Sequence, residues 1–363
     1  MSVGWSPAPG VPTWRRAISF CAALLLAGSL MTAEPAMARG APQMLDFGDL
    51  RGWEADDHLA AMNAFLETCD SLDDPEWSGL CALAGDQPKS AAAARTFFEM
   101  FFRPVLIGGD SPALFTGYYE PELNGSLTRN GRYLYPLYRR PPGFQPGDLW
   151  YSRAEIEQRG LLHGRGLEIV WLEDPVEVFF LHVQGSGRIR LPDGTALRVG
   201  FDGKNGHPYK SVGAELVRRG AYQSHQVSAR TIRDWVRRNP EQGRGLLQVN
   251  PSFVFFRVVK SVPADKGPLG AMGRSVTTLR SIAVDPDFTK LGAPVWVEKA
   301  GAQPMHRLMV AQDTGSAIKG AQRADIFYGT GFDAGEEAGR IRDSGRMIVL
   351  LPIQRAFAKL AGN

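Results

Sequence analysis

The apolar run Leu308-Met309-Val310-Ala311 closes on Asp313, and Asp325 stands directly before Ile326-Phe327-Tyr328. Both runs have the length and β-prone composition of buried strands, so each carboxylate is pinned at a strand edge, where acids are usually avoided. Gly315, Lys319 and Gly320 lie between them, and the glycines allow a tight connection that brings the two acids near one another. Asp313 carries two readings at this stage. Followed by Thr314-Gly315, it is an ordinary strand-to-turn signal, in which Asp caps the turn through its own side chain; it is also one half of an acid/base site. For Asp325, with no Gly or Pro until Gly329, structural and catalytic readings stand level on pattern alone.

Elsewhere the pattern predicts helix first and strand later. Leu59 to Phe102 reads as mainly helical, most strongly from Ser90, with Pro104 as the stop. From Leu114 onward β-prone runs dominate: Tyr133 to Tyr138, Leu167 to Leu172, Val176 to Gln184, Arg188 to Leu191 and Leu197 to Phe201. Helices are expected over Ser211 to Arg219, closed by Gly220, and over Ser228 to Arg238, opened by a Ser cap and ended at Asn239-Pro240. Strands resume at Pro251 to Val259 and recur at Ser281 to Val284, Val295 to Val297, Arg307 to Gln312 and Met347 to Leu351. Periodicity alone gives an α+β chain with much strand.

Composition narrows the function classes. The 363 residues are 44% hydrophobic and 22% charged, the make-up of a globular protein with one large or two medium domains. A net charge of +3, one lower without a leader holding Arg15, Arg16 and Glu34, is too small for a protein built around polyanions, so nucleic acid is not an expected partner. Arg15-Arg16, the apolar run Ala17 to Met31 and Ala36-Met37-Ala38 form the three parts of a secretory signal peptide, residues 1–38. The run is shorter than the ~20 residues a bilayer demands, and Cys21 lies inside it rather than at a lipidation point, so no membrane anchor is evident. The expected product is exported, starting near Arg39. Cys69 and Cys81 flank the acidic turn Asp73-Asp74-Pro75 between two short helical stretches, and an oxidising compartment favours a disulfide over two buried thiols. Six histidines with no HExxH or CxxC give no support to a metal centre.

Five further motifs precede the three aspartates in order: FTGYYEP (Phe115 to Pro121), YPLYRRPP (Tyr135 to Pro142), HVQGSGRIRLPDG (His182 to Gly194), NGHPYKSVG (Asn205 to Gly213) and NPSFVFFR (Asn250 to Arg257). With Asp285 in SIAVDP, Asp313 in VAQDTGSAIKG and Asp325 in RADIFYG, the stretch from Gly48 to Pro352 resembles the membrane-bound lytic murein transglycosylase A family and its closing three-aspartate domain. The resemblance implies a mainly β (α+β) fold. A double-psi β-barrel with N-terminal helices, residues 39–123 and 246–363, would carry the chemistry, and an inserted β-barrel domain, residues 124–245, would form a groove with it. It implies peptidoglycan glycan strands as the partner, with other cell-wall enzymes and the outer membrane or cell wall as neighbours, and neither cofactor nor metal.

Within that resemblance Asp325 takes the part of catalytic acid/base and Asp313 that of a neighbouring acid whose charge would oppose ionisation of Asp325, with the exchange of the two roles as the alternative. Asp285, before Pro286, has a mostly structural part, and Asp333 reads as a helix cap, with a place lining the groove as the alternative. Thr116 and Tyr119 are the expected glycan contacts from the first motif, on the argument that alternate strand residues face opposite ways. Gln184 and Ser186, set among glycines, are the next sugar contacts, although the glycines alone also fit a hairpin turn. Lys319 and the Arg139-Arg140 pair are candidates for substrate carboxylates; the bland reading of the arginines is a solvated face. Glu120 is the residue a hydrolase would use as its second carboxylate.

Overall fold

The computed structural model describes residues 40–362 except Asp110, Pro146 and Ala264, and the leader with Cys21 lies outside the described residues. After β1 (Gln43–Met44) come α1 (His58–Leu66), α2 (Pro75–Gly85) and α3 (Ala91–Phe101). Their starts are fixed by Asp57, Asp74 and Ser90, whose side chains accept the first free backbone N–H groups. Phe65, Trp77, Phe97 and Phe98 pack these helices on the fully buried Phe102 at ring separations of 5.9 to 6.2 Å. Cys69 and Cys81 are joined in a disulfide that ties the turn after α1 to α2, as the sequence predicts.

The helices lead into β2 (Phe102–Leu106) and β3 (Ala113–Glu120), and then the chain crosses at Pro121 into a second sheet. That part comprises β4 (Glu122–Ser126), β5 (Tyr135–Tyr138), α4 (Arg153–Gln158), β6 (Glu168–Leu172), α5 (Pro175–Gln184), β7 (Ser186–Arg190), β8 (Ala196–Lys204), α6 (Val212–Arg218), α7 (Ala229–Arg238), α8 (Pro240–Leu247) and β9 (Val254–Val258). The chain returns through β10 (Ser281–Val284), β11 (Pro294–Lys299), β12 (Met305–Asp313), β13 (Arg323–Thr330), α9 (Phe332–Ala338), β14 (Arg342–Pro352) and α10 (Ile353–Leu360).

The first sheet has the order β1-β2-β14-β11-β12-β10-β13-β3, and a further β14–β3 pairing closes its last six strands into a barrel. Two pairs in the ring, β10 with β12 and β13 with β3, are parallel, and the others are antiparallel. Its core of Phe115, Ile282, Val295, Trp296, Leu308, Ile326 and Ile348 is completely buried. The second sheet runs β5-β6-β4-β7-β8-β9.

One predicted strand is a helix. Val176 to Gln184 is rich in Val and Phe, which suggests β, yet it forms α5 because its ends are set by stronger local signals. Asp174 accepts the Val176 N–H at 2.9 Å, Pro175 occupies the first turn, and Gly185 at φ 76° closes the helix. The apolar residues then pack on two sides, Leu181 against the second sheet and Val176 and Phe179 against α6 and α7.

Candidate active site at the ends of two barrel strands

Strands β12 and β13 are separated by β10, which pairs with both. In that register Ala283 is the partner of Asp313 on one side and of Asp325 on the other. Two strand spacings put the backbones of the two acids ~10 Å apart, close enough for their side chains to share one cleft. Both residues are half-buried, and burial opposes ionisation of each carboxyl.

Asp325 is held from its other neighbour. It pairs with Thr116 of β3, whose hydroxyl donates to Asp325 Oδ1 at 2.5 Å. Arg323 Nη2 donates to that same Thr116 oxygen at 2.9 Å. A guanidinium can only donate, so the one Thr116 proton is committed to Asp325. Oδ2 accepts no hydrogen bond from the described residues and is the oxygen free to carry a proton. Burial raises the pKa of Asp325, against the opposing pull of the Thr116 hydrogen bond and the Arg323 charge. Desolvation is the largest cause, and the repulsion between the two acids, which is mutual, adds to it.

Asp313 accepts the N–H groups of Ala271 and Thr314 at 3.0 and 2.8 Å on Oδ1. Burial pushes its pKa up to about 6 against those bonds, with a smaller upward push from Asp325. Tyr118, two residues along β3 from Thr116, shares its face, and its ring lies 5.2 Å from that of Phe327. Its buried hydroxyl adjoins the Asp313 carboxyl; burial first, and then the Asp313 charge and the hydroxyl's interaction with that carboxyl, raise its pKa well above the usual phenol value, so it stays protonated and helps to hold the Asp313 pKa down.

The other predicted residues have varied places. Asp285 accepts the Gly320 N–H at 2.8 Å and the Lys319 ammonium at 3.2 Å. Burial would raise its pKa, but those two donors hold it below the usual range, so it is a charged clamp on the loop joining β12 to β13. Lys319 is thereby paired to Asp285 rather than to either cleft acid.

Tyr119 lies apart from Thr116. Its ring packs against Gly335 of α9, so closely that a Cβ there would sit 2.7 Å from it, and its hydroxyl accepts from Arg233 of α7 at 3.1 Å. Strand alternation puts Tyr118, not Tyr119, on the face of Thr116 and Asp325. Gln184 ends α5 and accepts the Tyr119 N–H at 3.2 Å, and Ser186 begins β7, buried opposite Gly200. The glycine between them closes a helix rather than turning a hairpin. Asp333 is not a cap: Gly331 holds that position, and Asp333 lies in the first turn of α9, where its charge favours the helix dipole.

Glu120 is completely buried and bound to Arg188 at 2.9 Å and Arg198 at 2.9 Å, with the Thr330 hydroxyl donating at 2.9 Å. Both arginines belong to the second sheet and also donate to the Lys266 carbonyl. The residue nominated as a second carboxylate therefore joins the two sheets and is closed to substrate. Sequence reasoning missed Tyr118, Arg323 and this arginine pair; the alternation running from Thr116 was the signal for Tyr118.

Residues 114–257 match the MltA specific insert domain, and residues 280–351 match the 3D domain. A crystal structure of a membrane-bound lytic murein transglycosylase from Agrobacterium tumefaciens is 34% identical, with a TM-score of 0.78 over 88% of this chain and 99% of that one. The chain belongs to the membrane-bound lytic murein transglycosylase A family. The transglycosylase A of Escherichia coli K12 is 40% identical over 247 residues, 65% of each sequence, so the match spans just under two thirds of that relative. A crystal structure of the Escherichia coli family member with bound chitohexaose has a TM-score of 0.69 and 29% identity, covering 86% of this chain and 94% of that one.

Proposed function

We propose that this protein is a peptidoglycan lytic transglycosylase, with Asp325 as its single general acid/base. The observation that carries the reading is the asymmetry of the Asp325 carboxyl, which has one oxygen fixed by Thr116 and the other unbonded, in surroundings that favour the protonated form. Oδ2 gives its proton to the oxygen leaving toward N-acetylglucosamine, and the C1–O bond of N-acetylmuramic acid breaks. The new carboxylate takes the proton of the C6 hydroxyl as that oxygen closes on C1, which leaves a 1,6-anhydro end, consumes no water and returns the acid to its starting state. Thr116 and Arg323 favour the carboxylate of the intermediate stage, and burial favours the acid of the resting stage.

A hydrolase on this scaffold needs a second carboxylate to activate water or attack the sugar. Glu120 is sequestered, and Asp313, the other acid of the site, is tied to two backbone N–H groups and pushed toward its neutral form by burial, which supports the substrate's own hydroxyl as nucleophile. Mass analysis of fragments released from purified sacculi tests this: anhydro ends are expected, and hydrated reducing ends would overturn it. Chitohexaose bound to the Escherichia coli relative supports glycan strands as ligand, and the membrane-bound names of relatives support a cell-envelope location. Among the described residues no helix is long and apolar enough to cross a membrane, and we place the enzyme in the periplasm, where fractionation of cells should find it.

A further inference from the structure

The acid site leaves the Arg139-Arg140 motif unused. Both residues line a concavity of ≈ 620 Å³ on the second sheet, together with Arg257, Lys260, Phe144 and Asp202. Asp202 supplies the one carboxylate among its lining residues, 3.4 Å from Arg140, which also donates to the Phe144 carbonyl at 3.3 Å. Arg139 donates to the Glu168 carbonyl at 3.0 Å. Arg257 and Lys260 are exposed, and neither has a hydrogen bond or an ion pair among the described residues. Four cations thus surround one carboxylate, and two of them are uncommitted.

The register relates this concavity to the rest of the protein. Arg257 is opposite Gly200, and Gly200 is opposite Ser186, so Arg257 and Ser186 share a face of the sheet ~10 Å apart. That face also carries Arg188 and Arg198, which reach Glu120 of the barrel, so it is the face turned toward the barrel.

We propose that this concavity binds carboxylates of the peptide stems carried by the glycan strand, with Arg257 and Lys260 as the principal contacts. The inference rests on the peptidoglycan reading. A stem hangs from every unstripped muramyl residue and ends in free carboxylates, and three extended residues already span ~10 Å, so a stem can reach this site on the barrel-facing side of the second sheet without the glycan itself entering it. The guanidinium fork suits a carboxylate, and the Phe144 ring offers an apolar surface to the aliphatic parts of a peptide.

The test uses the Asp325→Asn protein, so that strands are bound and not cut. Soluble glycan strands are compared in three forms: with stems intact, with stem carboxylates converted to methyl esters, and stripped of stems by an amidase. The intact form should bind about 10-fold more tightly than the other two, and the advantage should shrink with added salt. Arg257→Gln with Lys260→Gln should erase that advantage while leaving affinity for stripped strands unchanged, with an unaltered circular dichroism spectrum. Equal affinity for intact and stripped strands, or an advantage that survives both substitutions or esterification, overturns the proposal. Failure of all three forms to bind overturns the peptidoglycan reading itself, which separates the two failures.

Discussion

Thr116 spends its only hydroxyl proton on Asp325 because Arg323 already occupies the acceptor side of the same oxygen. The arrangement orients the acid as well as tuning it, since one carboxyl oxygen is held and the other is left to react. Asp325→Asn keeps the shape and loses the transferable proton, so turnover should fall by ~10²–10⁴ while binding to sacculi survives. Thr116→Val removes the bond that lowers the Asp325 pKa, so the alkaline limb of the pH–rate profile should move to higher pH; Thr116→Ser should restore it. An unmoved limb in Thr116→Val would break the link between the two residues.

Asp313 should reveal itself in stability as much as in rate. Its pKa is raised from 3.8 to about 6, so the stability contributed by the neutral carboxyl is complete below the lower value and lost as pH rises through the higher one. Asp313→Asn should therefore stabilise the fold at pH 7.5 by ~1–2 kcal/mol, discounted because solvent reaches the group, and by almost nothing at pH 4. Its activity loss should be smaller than the ~10² expected at minimum for Asp325→Asn. Denaturant melts at the two pH values, beside a rate profile, check both parts.

Glu120→Gln separates chemistry from architecture. It leaves Arg188 and Arg198 without their buried counter-charge, at a cost of about 3–5 kcal/mol in stability. Whatever folded enzyme remains should still produce anhydro ends, as read by mass spectrometry. Hydrated ends from the wild type, together with a folded but inactive Glu120→Gln, would instead make Glu120 a catalytic partner.

The disulfide closes a short loop over the helices that carry the aromatic cluster around Phe102. Replacing Cys69 and Cys81 by Ser should lower stability by ~2–4 kcal/mol, seen in urea melts, and leave the cleavage products unchanged.

Where pattern and local capping agreed, the sequence was legible. Ser281 to Val284 and the run closing on Asp313 are strands, and Ser211 and Ser228 cap the helices they were expected to open. The α5 segment was misread because β-prone residues outweighed the Asp174-Pro175 start and the Gly185 stop. The two cleft acids were visible as acids at strand edges. Their common partner Ala283 was not, because β10 pairs in parallel with β12 across the intervening β11, and no local signal in the sequence gives that pairing. The choice of Tyr119 over Tyr118 failed to apply strand alternation starting from Thr116. Glu120 was ambiguous because its partners lie 68 and 78 positions away, in strands whose placement no local signal gives.

The ion cluster at Glu120 also bears on how such an enzyme meets a solid. Prising the sheets apart would strip one buried carboxylate of two guanidinium partners, so the cluster acts as a rivet between the barrel and the second sheet. On the peptidoglycan reading the ligand is a crosslinked mesh, which cannot diffuse into a hinge and pull it shut, and a rivet between the sheets spares the protein from needing it to.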